Sequence, residues 1–342
     1  MVKKYNVAVV GATGLVGQKI IDVLLEREFP FADLRLLASS RSADRRVKIK
    51  DCYYTVEELT ADSFTGINYA FFSAGESISH EFAPEAVKRG TVVIDNSNAF
   101  RMETDIPLVV PEVNPDMVFE HQGIIANPNC STIQMVVALQ PLQKASAIKR
   151  VVAATYQAVS GAGREAVEEL HEQCRAILDN RPVKAERIPY KGASYPYQIA
   201  YNVVPQIDVF VEDGYCKEER KMVQETRKIM GLPGLRLTAT TVRVPVVKGH
   251  AIALNVEFAN PLTPDEARDL LAAAPGVKVI DDPVALAYPT PLQAEEDDTV
   301  FVGRIRKDHS IENGLHLWVV SDNIRKGAAT NSIQIAELLL KN

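Results

Sequence analysis

The chain has 342 residues, of which 46% are hydrophobic, and its formal net charge is −6. This length allows about two domains with ordinary hydrophobic cores. The negative charge argues against a nucleic-acid-binding or membrane-surface protein, because both need basic patches. No apolar run approaches the roughly 18 residues of a membrane-spanning helix, and no signal-peptide cleavage site is recognisable.

The four cysteines, Cys52, Cys130, Cys174 and Cys216, are widely separated along the chain. They form no CxxC pair, and no histidine cluster lies near them in the sequence. This pattern is typical of reduced thiols in the cytoplasm and not of disulfides or a zinc site. We therefore expect a soluble, cytoplasmic protein that binds no metal.

Strand-like and helix-like segments alternate over the first third of the chain. The segments with strand character are Val7–Val10, Leu34–Ala38, Tyr69–Ser73, Thr91–Asp95, Leu108–Val110 and Ile124–Ala126. Between them, Leu15–Arg27 and Ser77–Arg89 have helical periodicity. Short apolar strands separated by helices predict an α/β domain with a Rossmann-like, doubly wound parallel sheet.

The pattern changes after Cys130. The predicted helices there are Thr132–Lys144, Arg164–Asp179, Cys216–Met230, Pro264–Ala273 and a terminal helix over Asn323–Leu340. The predicted long strands are Ile148–Val159, Leu237–Val247 and Ala251–Ala259. Long strands with distant partners indicate an α+β domain with a mixed, largely antiparallel sheet and helices on one face. The stretch Asn180–Tyr201, which carries several Pro and Tyr residues, predicts a long excursion or lid.

A glycine-rich turn follows the first strand and precedes the first helix. The candidate cofactor-binding residues in this turn are Gly11, Thr13, Gly14, Leu15, Val16 and Gly17. Glycines allow a tight turn and let backbone N–H groups approach a pyrophosphate at a helix N-terminus. The position after the first strand favours a dinucleotide site, and the alternative is a glycine-rich turn that binds nothing.

The end of the second strand indicates which dinucleotide would bind. An NAD site usually has an acidic residue there, but this chain has Ser39, Arg41 and Ser42, with no carboxylate before Asp44. Hydroxyls and a guanidinium suit a 2′-phosphate, so the sequence favours NADP over NAD. The alternative is that Arg41 is a solvated loop charge.

Cys130 lies where an apolar strand gives way to a helix, within the stretch NPNCST. The positive end of a helix dipole stabilises a thiolate, and Asn129, Ser131 and Thr132 are residue types that cap helix starts. His250, beside Gly249 at a turn between two apolar strands, is the most suggestive base. The residues alone leave both open, since a lone cysteine is commonly a core residue and a lone histidine commonly structural.

Seven stretches taken together resemble the bacterial type of aspartate-β-semialdehyde dehydrogenase. They are GATGLVG (11–17), SNAFR (97–101), NPNCSTIQ (127–134), YQAVSGAG (156–163), EERK (218–221), RVPVVKGH (243–250) and DNIRKGAA (322–329). The likeness runs over essentially the whole chain, in order and with compatible spacings. The departures are confined to loops and to the 180–201 excursion.

The resemblance implies a role for each matching residue. Cys130 would be the nucleophile, His250 the acid–base residue, and Gln157 a residue that positions substrate and intermediate. Arg243 would grip the substrate carboxylate. Glu218 would meet the substrate amino group, with its neighbour Glu219 as the competing choice.

The resemblance also implies a phosphate site and the nicotinamide side of the cofactor. Arg101 and Lys221 match the cations that bind inorganic phosphate. Ser160, Gly161 and Asn323 match residues beside the nicotinamide. The alternatives are that Arg101 and Lys221 are surface charges, or that Glu218 and Lys221 form a helical ion pair.

The resemblance implies a discontinuous NADP-binding domain, 1–128 with 323–342, and a catalytic and dimerisation domain, 129–322. The expected activity is NADP-dependent interconversion of L-aspartate-β-semialdehyde plus phosphate with β-aspartyl phosphate, through a cysteine thioester. We expect a homodimer that serves lysine, threonine and methionine biosynthesis. The alternatives are an N-acetyl-γ-glutamyl-phosphate reductase and a non-catalytic NADP-binding sensor.

Overall fold

The computed structural model describes residues 3–50 and 52–340. The chain forms two compact units, Met1–Asn129 with Ala328–Asn342, and Cys130–Gly327. The second boundary therefore falls a few residues later than the 322/323 boundary expected from the sequence. None of the helices in the described ranges combines the length and the hydropathy needed to span a bilayer.

The regular elements alternate in the first unit and become longer in the second. The helices are α1 (Leu15–Glu26), α2 (Glu76–Lys88), α3 (Cys130–Ala145), α4 (Arg164–Leu178), α5 (Lys217–Ile229), α6 (Pro264–Ala272), α7 (Pro291–Ala294) and α8 (Thr330–Leu340). The strands are β1 (Tyr5–Val10), β2 (Phe31–Ala38), β3 (Arg46–Ile49), β4 (Cys52–Glu58), β5 (Tyr69–Phe72), β6 (Val92–Asp95), β7 (Ile124–Ala126), β8 (Ile148–Gln157), β9 (Arg236–Arg243), β10 (His250–Phe258), β11 (Val277–Val279), β12 (Val300–Asp308) and β13 (Gly314–Ser321).

The first unit is built on a sheet with the strand order β3-β4-β2-β1-β5-β6-β7. All neighbouring pairs are parallel except β3 with β4. Alternate residues of β1 enter two different cores: Val7 and Val9 pack with α1 and α8, and Ala8 and Val10 pack on the other face. Both faces are thus covered, which confirms the predicted doubly wound α/β sheet.

One predicted strand in this unit was wrong, and two strands were not predicted. Leu108–Val110 is not a strand, because Leu108 makes only an isolated parallel bridge to Ala126. Pro107 and Pro111 bracket the segment and lack the N–H groups that would extend the ladder. The strands β3 and β4 were not predicted, because each buries only one residue and so has little apolar periodicity.

The terminal helix begins later than predicted. Residues Arg325–Ala329 form a π-helical turn, and α8 starts only at Thr330. The Asp322 carboxylate accepts hydrogen bonds from the N–H groups of Ile324 (2.8 Å) and Arg325 (3.1 Å), which makes Asn323 part of a turn. Such a side-chain-to-backbone turn competes with helix at this position.

The second unit contains a six-stranded sheet with the order β11-β12-β13-β10-β8-β9. The three central pairs are antiparallel, whereas β8 with β9 and β11 with β12 are parallel. The mixed sheet is therefore confirmed. The strand predicted over Leu237–Val247 ends at Arg243, shortly before Pro245, because proline cannot donate to the ladder.

The excursion after α4 is anchored by one glutamine of that helix. Gln173 accepts hydrogen bonds from the N–H groups of Ile199 (2.9 Å) and Ala200 (3.0 Å) and donates to the Lys184 carbonyl (2.8 Å). The side chain is buried, so these bonds are made away from water. The excursion is therefore attached to α4 at two places.

Candidate active site

Four buried polar residues form a row across adjacent strands of the second unit. Ser321 on β13 pairs in register with His250 on β10, and Gln157 on β8 pairs with Arg243 on β9. Because Ala251 pairs with Tyr156, His250 is level with Gln157 in the antiparallel ladder. Residues opposite one another in a ladder project from the same face. We call these four residues the polar row.

Cys130 is the first residue of α3, and α3 packs against the face that carries the polar row. The helix makes contacts with β8, β10 and β13. The thiol is half-buried, and a Cβ atom on Gly327 would lie 2.8 Å from the Cys130 Cβ. The chain at Gly327 must therefore approach Cys130 more closely than any side chain allows. The helix start favours a thiolate there.

The buried imidazole of His250 has a defined orientation. Nδ1 accepts a hydrogen bond from the Ala158 N–H at 3.0 Å. Within the described ranges, Nε2 has no hydrogen-bond partner, and a Cβ on Gly161 would lie 3.2 Å from it. Burial, with a further contribution from Arg243, holds the His250 pKa well below its ordinary value. The ring is therefore neutral and carries its proton on Nε2.

Arg243 is a buried cation at the end of the row. Nη1 donates to the Ala158 carbonyl at 2.8 Å, whereas Nε has no hydrogen-bond partner among the residues described. Burial lowers the Arg243 pKa, and the charges of Glu218 and Cys130 act in the opposite direction. The guanidinium thus keeps an unused donor in a site that also holds the thiol.

Gln157 connects the polar row to α5. Its Nε2 lies 3.3 Å from Oε1 of Glu218, whose Oε2 lies 3.4 Å from Nζ of Lys221. Lys221 also forms an ion pair with Asp208 at 3.1 Å. Sequence reasoning missed Asp208, because it lies in an irregular segment and matches none of the quoted stretches.

Glu219 points away from this cluster. Its Oε2 accepts the Cys216 N–H at 2.8 Å, and its Oε1 accepts the Thr241 N–H at 2.9 Å. Both oxygens are thus used to attach the start of α5 to β9. Glu218, and not Glu219, faces Gln157.

Asn323 links two of the loops beside His250. Oδ1 accepts the Gly249 N–H at 3.0 Å, and Nδ2 donates to Oγ of Ser160 at 3.0 Å. Gly161 is the residue after Ser160, and a Cβ atom on Gly161 would lie 3.0 Å from Nη1 of Arg243. Ser160, Gly161 and Asn323 therefore lie around the buried imidazole and guanidinium.

Arg101 belongs to the first unit, where its guanidinium is buried. Nε donates to the Asn127 carbonyl and Nη2 to the Asn96 carbonyl, each at 2.9 Å. The turn that leads to Arg101 is organised by Asp95, which accepts from the Ser97 hydroxyl at 2.6 Å. Burial raises the Asp95 pKa, and its hydrogen bonds to Ser97 and Ser79 oppose the rise.

The glycine-rich turn has two positions that admit no side chain. Gly11 has φ +83°, and a Cβ there would lie 2.9 Å from the Ser73 backbone; on Gly17 it would lie 2.2 Å from the Gly11 carbonyl oxygen. A Cβ on Gly14 would meet only that oxygen, at 3.3 Å. Close packing at Gly11 and Gly17 places the start of α1, where the first N–H groups have no partner within the helix, at the end of β1.

The predicted 2′-phosphate residues follow β2. Ser40–Ser42 form a 3₁₀ turn that begins after Ser39, and Arg41 is exposed. Within the described ranges, no group of three or more His, Cys, Asp or Glu residues is arranged to hold a metal.

Both units match models of known domains. Residues 6–121 match the semialdehyde dehydrogenase NAD-binding domain, and residues 139–326 match the semialdehyde dehydrogenase dimerisation domain. The chain is 55% identical, over 98% of both chains, to the aspartate-semialdehyde dehydrogenase of Aquifex aeolicus.

Two solved structures have folds similar to that of this chain. One is aspartate-semialdehyde dehydrogenase II of Vibrio cholerae complexed with ASA (TM-score 0.94, 45% identity, 99% of both chains). The other is the aspartate-semialdehyde dehydrogenase of Candida albicans with NADP (TM-score 0.74, 26% identity, 98% of both chains).

Proposed function

The chain belongs to the aspartate-semialdehyde dehydrogenase family, and from that premise we propose that it interconverts L-aspartate-β-semialdehyde plus phosphate with β-aspartyl phosphate through a thioester on Cys130. The observation that carries this proposal is that Cys130 starts the helix α3, which packs on the sheet that carries buried His250 and Arg243. Each of these partners keeps a nitrogen without a hydrogen-bond partner among the described residues. Buried, unsatisfied donors are costly unless a ligand uses them.

Cys130 supplies the nucleophile. Its thiolate adds to the aldehyde carbon and gives a hemithioacetal oxyanion, and loss of hydride from that carbon leaves the thioester. Phosphate oxygen then attacks the thioester carbon, the C–S bond breaks, and the acyl phosphate leaves while the thiolate is regenerated. A thioester suits this sequence because it remains reactive toward phosphate.

His250 stabilises the oxyanion with the proton on Nε2. Its Nδ1 lone pair is engaged by the Ala158 N–H, so the neutral ring presents a donor, not a free lone pair, at Nε2. The resting ring therefore donates to the oxyanion, and it can accept a proton at Nε2 only after releasing the one already there. This refines the acid–base role that the family resemblance implies.

The charged groups divide between the two ends of the reactants. Arg243 presents a guanidinium for the substrate α-carboxylate, and Glu218 presents a carboxylate for its ammonium group. Gln157, the member of the polar row that contacts Glu218, holds the substrate between these ends. We assign phosphate to Arg101 and Lys221, because an anion beside the thioester needs cations.

NADP fits the first unit. Gly11 and Gly17 leave no room for side chains where the backbone turns toward α1, as a pyrophosphate cradle requires. Thr13, Gly14, Leu15 and Val16 complete that cradle, and Ser39, Arg41 and Ser42 would take the 2′-phosphate. Ser160, Gly161 and Asn323 would line the nicotinamide. When bound, NADP accepts or supplies the hydride.

We also propose a homodimer that works in the cytoplasm in lysine, threonine and methionine biosynthesis. The match to a dimerisation domain supports the dimer. The outer face of the second sheet carries an apolar groove of about 570 Å³, lined by residues such as Ala154, Ala253 and Trp318, which a second copy would cover. Free cysteine thiols such as those of this chain are typical of a reducing compartment such as the cytoplasm.

One assay tests the activity. Purified protein is supplied with NADP⁺, phosphate and L-aspartate-β-semialdehyde, and in parallel with N-acetyl-L-glutamate-γ-semialdehyde, and NADPH formation is followed. Turnover of the aspartate compound alone supports the proposal. Preference for the acetylated compound would indicate an N-acetyl-γ-glutamyl-phosphate reductase, and turnover of neither would indicate a sensor.

Mass spectrometry tests the intermediate. Without phosphate, an acyl adduct is expected on the Cys130 peptide, and Cys130→Ala should abolish turnover while leaving NADP affinity nearly unchanged. An adduct found only on Cys52, Cys174 or Cys216 would refute the assignment.

A further inference from the structure

We propose that Gln134 and Ser321 form a positioning pair. Their hydrogen bond fixes the start of α3, and with it Cys130, relative to His250 on the sheet. This proposal rests on the proposed function, and it adds two residues that contact none of the reacting atoms. Neither was a candidate from the sequence. The argument depends on which element each residue belongs to and on the one hydrogen bond that joins them.

Gln134 shares a helix face with the nucleophile. It lies four residues after Cys130 on α3, so the two side chains are neighbours along one face of the helix. Any displacement of Gln134 relative to the sheet therefore moves the start of α3 with it. The side chain is fully buried, at 0% exposure.

Ser321 belongs to the polar row. It is the last residue of β13 and pairs in register with His250, the first residue of β10. It is likewise fully buried, and its hydroxyl donates to Oε1 of Gln134 at 2.5 Å. This single bond thus connects the helix of the thiol to the strand position opposite the imidazole.

A glutamine at position 134 lowers the stability of the folded protein. Within the part of the chain that the structure describes, Nε2 of Gln134 is buried with no hydrogen-bond partner. A buried amide with an unsatisfied donor makes the folded protein less stable than one whose donor is satisfied. An apolar residue of similar volume would fill the same space without that cost, so a role in holding α3 explains the polar pair better than packing does.

The opposite end of α3 provides a matched control. Ser146, just after the helix, donates to the Asn260 carbonyl at 3.1 Å and accepts the Asn260 N–H at 3.0 Å. This side chain is also buried. Ser146→Ala should loosen the same helix at the end away from Cys130.

The expected effect falls on chemistry and not on binding. The groups proposed to hold the substrates, Arg243, Glu218 and Lys221, lie on β9 and α5 and not on α3. A displacement of about 1 Å at a reacting group can cost 100-fold in rate. We therefore expect kcat to fall 10- to 100-fold with each KM within about twofold of wild type.

The experiment compares Gln134→Leu, Ser321→Ala, the double variant and Ser146→Ala with wild type. Steady-state kinetics are measured with NADP⁺, phosphate and L-aspartate-β-semialdehyde, and unfolding midpoints are recorded for all five proteins. Each single variant should lose kcat, and the double variant should lose little more, because both changes remove one interaction. Ser146→Ala should keep kcat whatever its unfolding midpoint.

A second measurement does not need turnover. The rate at which iodoacetamide alkylates Cys130 at pH 7 should fall several-fold in Gln134→Leu and Ser321→Ala, because the thiolate is displaced from the Arg243 charge, and not in Ser146→Ala. The proposed role of the pair would be overturned if both single variants kept the kcat and the alkylation rate of the wild type. It would also be overturned if Ser146→Ala lost as much kcat and alkylation rate as they do. A wild-type protein without turnover refutes the proposed function, and alkylation then still tests the pair.

Discussion

Nδ1 of His250 accepts a hydrogen bond from the N–H of Ala158 at 3.0 Å. Because a backbone N–H can only donate, this bond requires an unprotonated Nδ1 and excludes the doubly protonated ring. Burial and the Arg243 charge lower the His250 pKa well below its ordinary value. The folded protein thus keeps a neutral histidine at pH values where an unfolded chain would protonate it.

The first prediction concerns stability at acidic pH. Because the folded-state pKa of His250 is depressed, the unfolded chain binds the extra proton below about pH 6.5, and stability is lost as pH falls. The loss attributable to one such group is about 1.4 kcal/mol per pH unit below that point. His250→Gln should therefore flatten the decline of the urea-unfolding free energy between pH 7 and pH 5. The matched control is His171→Gln on the exposed face of α4, and an unchanged slope in His250→Gln would contradict the prediction.

The second prediction concerns cofactor choice. Arg41→Ala should weaken NADP by about one to two orders of magnitude and NAD far less, because a charged hydrogen bond to the 2′-phosphate contributes roughly 1.5–3 kcal/mol. Isothermal titration with each dinucleotide measures the difference. Arg46→Ala, an exposed change on β3, serves as the control. Equal losses for both dinucleotides would mean that Arg41 does not meet the phosphate.

The third prediction separates the neighbouring glutamates. Glu219→Gln should lower the free energy of unfolding by about 1–3 kcal/mol, because an amide NH₂ then faces one of the two N–H groups that its carboxylate accepts. Glu218→Gln should instead raise the KM for the semialdehyde at least 10-fold with little change in stability. Denaturant unfolding and steady-state kinetics on both variants give the comparison. The reverse pattern would assign the substrate amine to Glu219.

The fourth prediction separates the phosphate and amino-acid sites. Lys221→Ala should raise the KM for phosphate, and arsenate should be affected alike because it occupies the same place. Arg243→Lys should raise the KM for the semialdehyde, since lysine keeps the charge but loses the planar fork. Arg220→Ala, whose side chain pairs with Asp213 on the exposed side of α5, should change neither. If Lys221→Ala raised only the semialdehyde KM, Lys221 would belong to the amino-acid site.

Much of the fold follows from local pattern. The alternation of apolar strands and amphipathic helices predicted the doubly wound sheet, because burial on both faces makes each strand a short apolar run. The turn from Gly11 to Gly17 was recognisable because its backbone geometry depends on residues within one turn. The start of α3 at Cys130 could be anticipated for the same reason.

The arrangement of the candidate site needed the tertiary structure. Ser321, His250, Gln157 and Arg243 come from four strands whose register no local periodicity specifies. Local sequence also does not predict that Asp208 lies beside Lys221. It likewise does not predict that Glu218 and Glu219 point in different directions. A one-residue slip in any of these strands would turn its side chain to the other face.

Amino-acid sequence alone thus determined which residue types could carry the chemistry, since thiol, imidazole and guanidinium groups and the backbone turns that expose them are properties of short segments. Tertiary structure decided which nitrogen of His250 holds the proton and which helix face Cys130 shares with Gln134. It also joined Gln134 to Ser321, 187 positions away. Hydrogen bonds between distant segments form only when the register of β13, β10 and β8 and the packing of α3 bring the partners within about 3 Å.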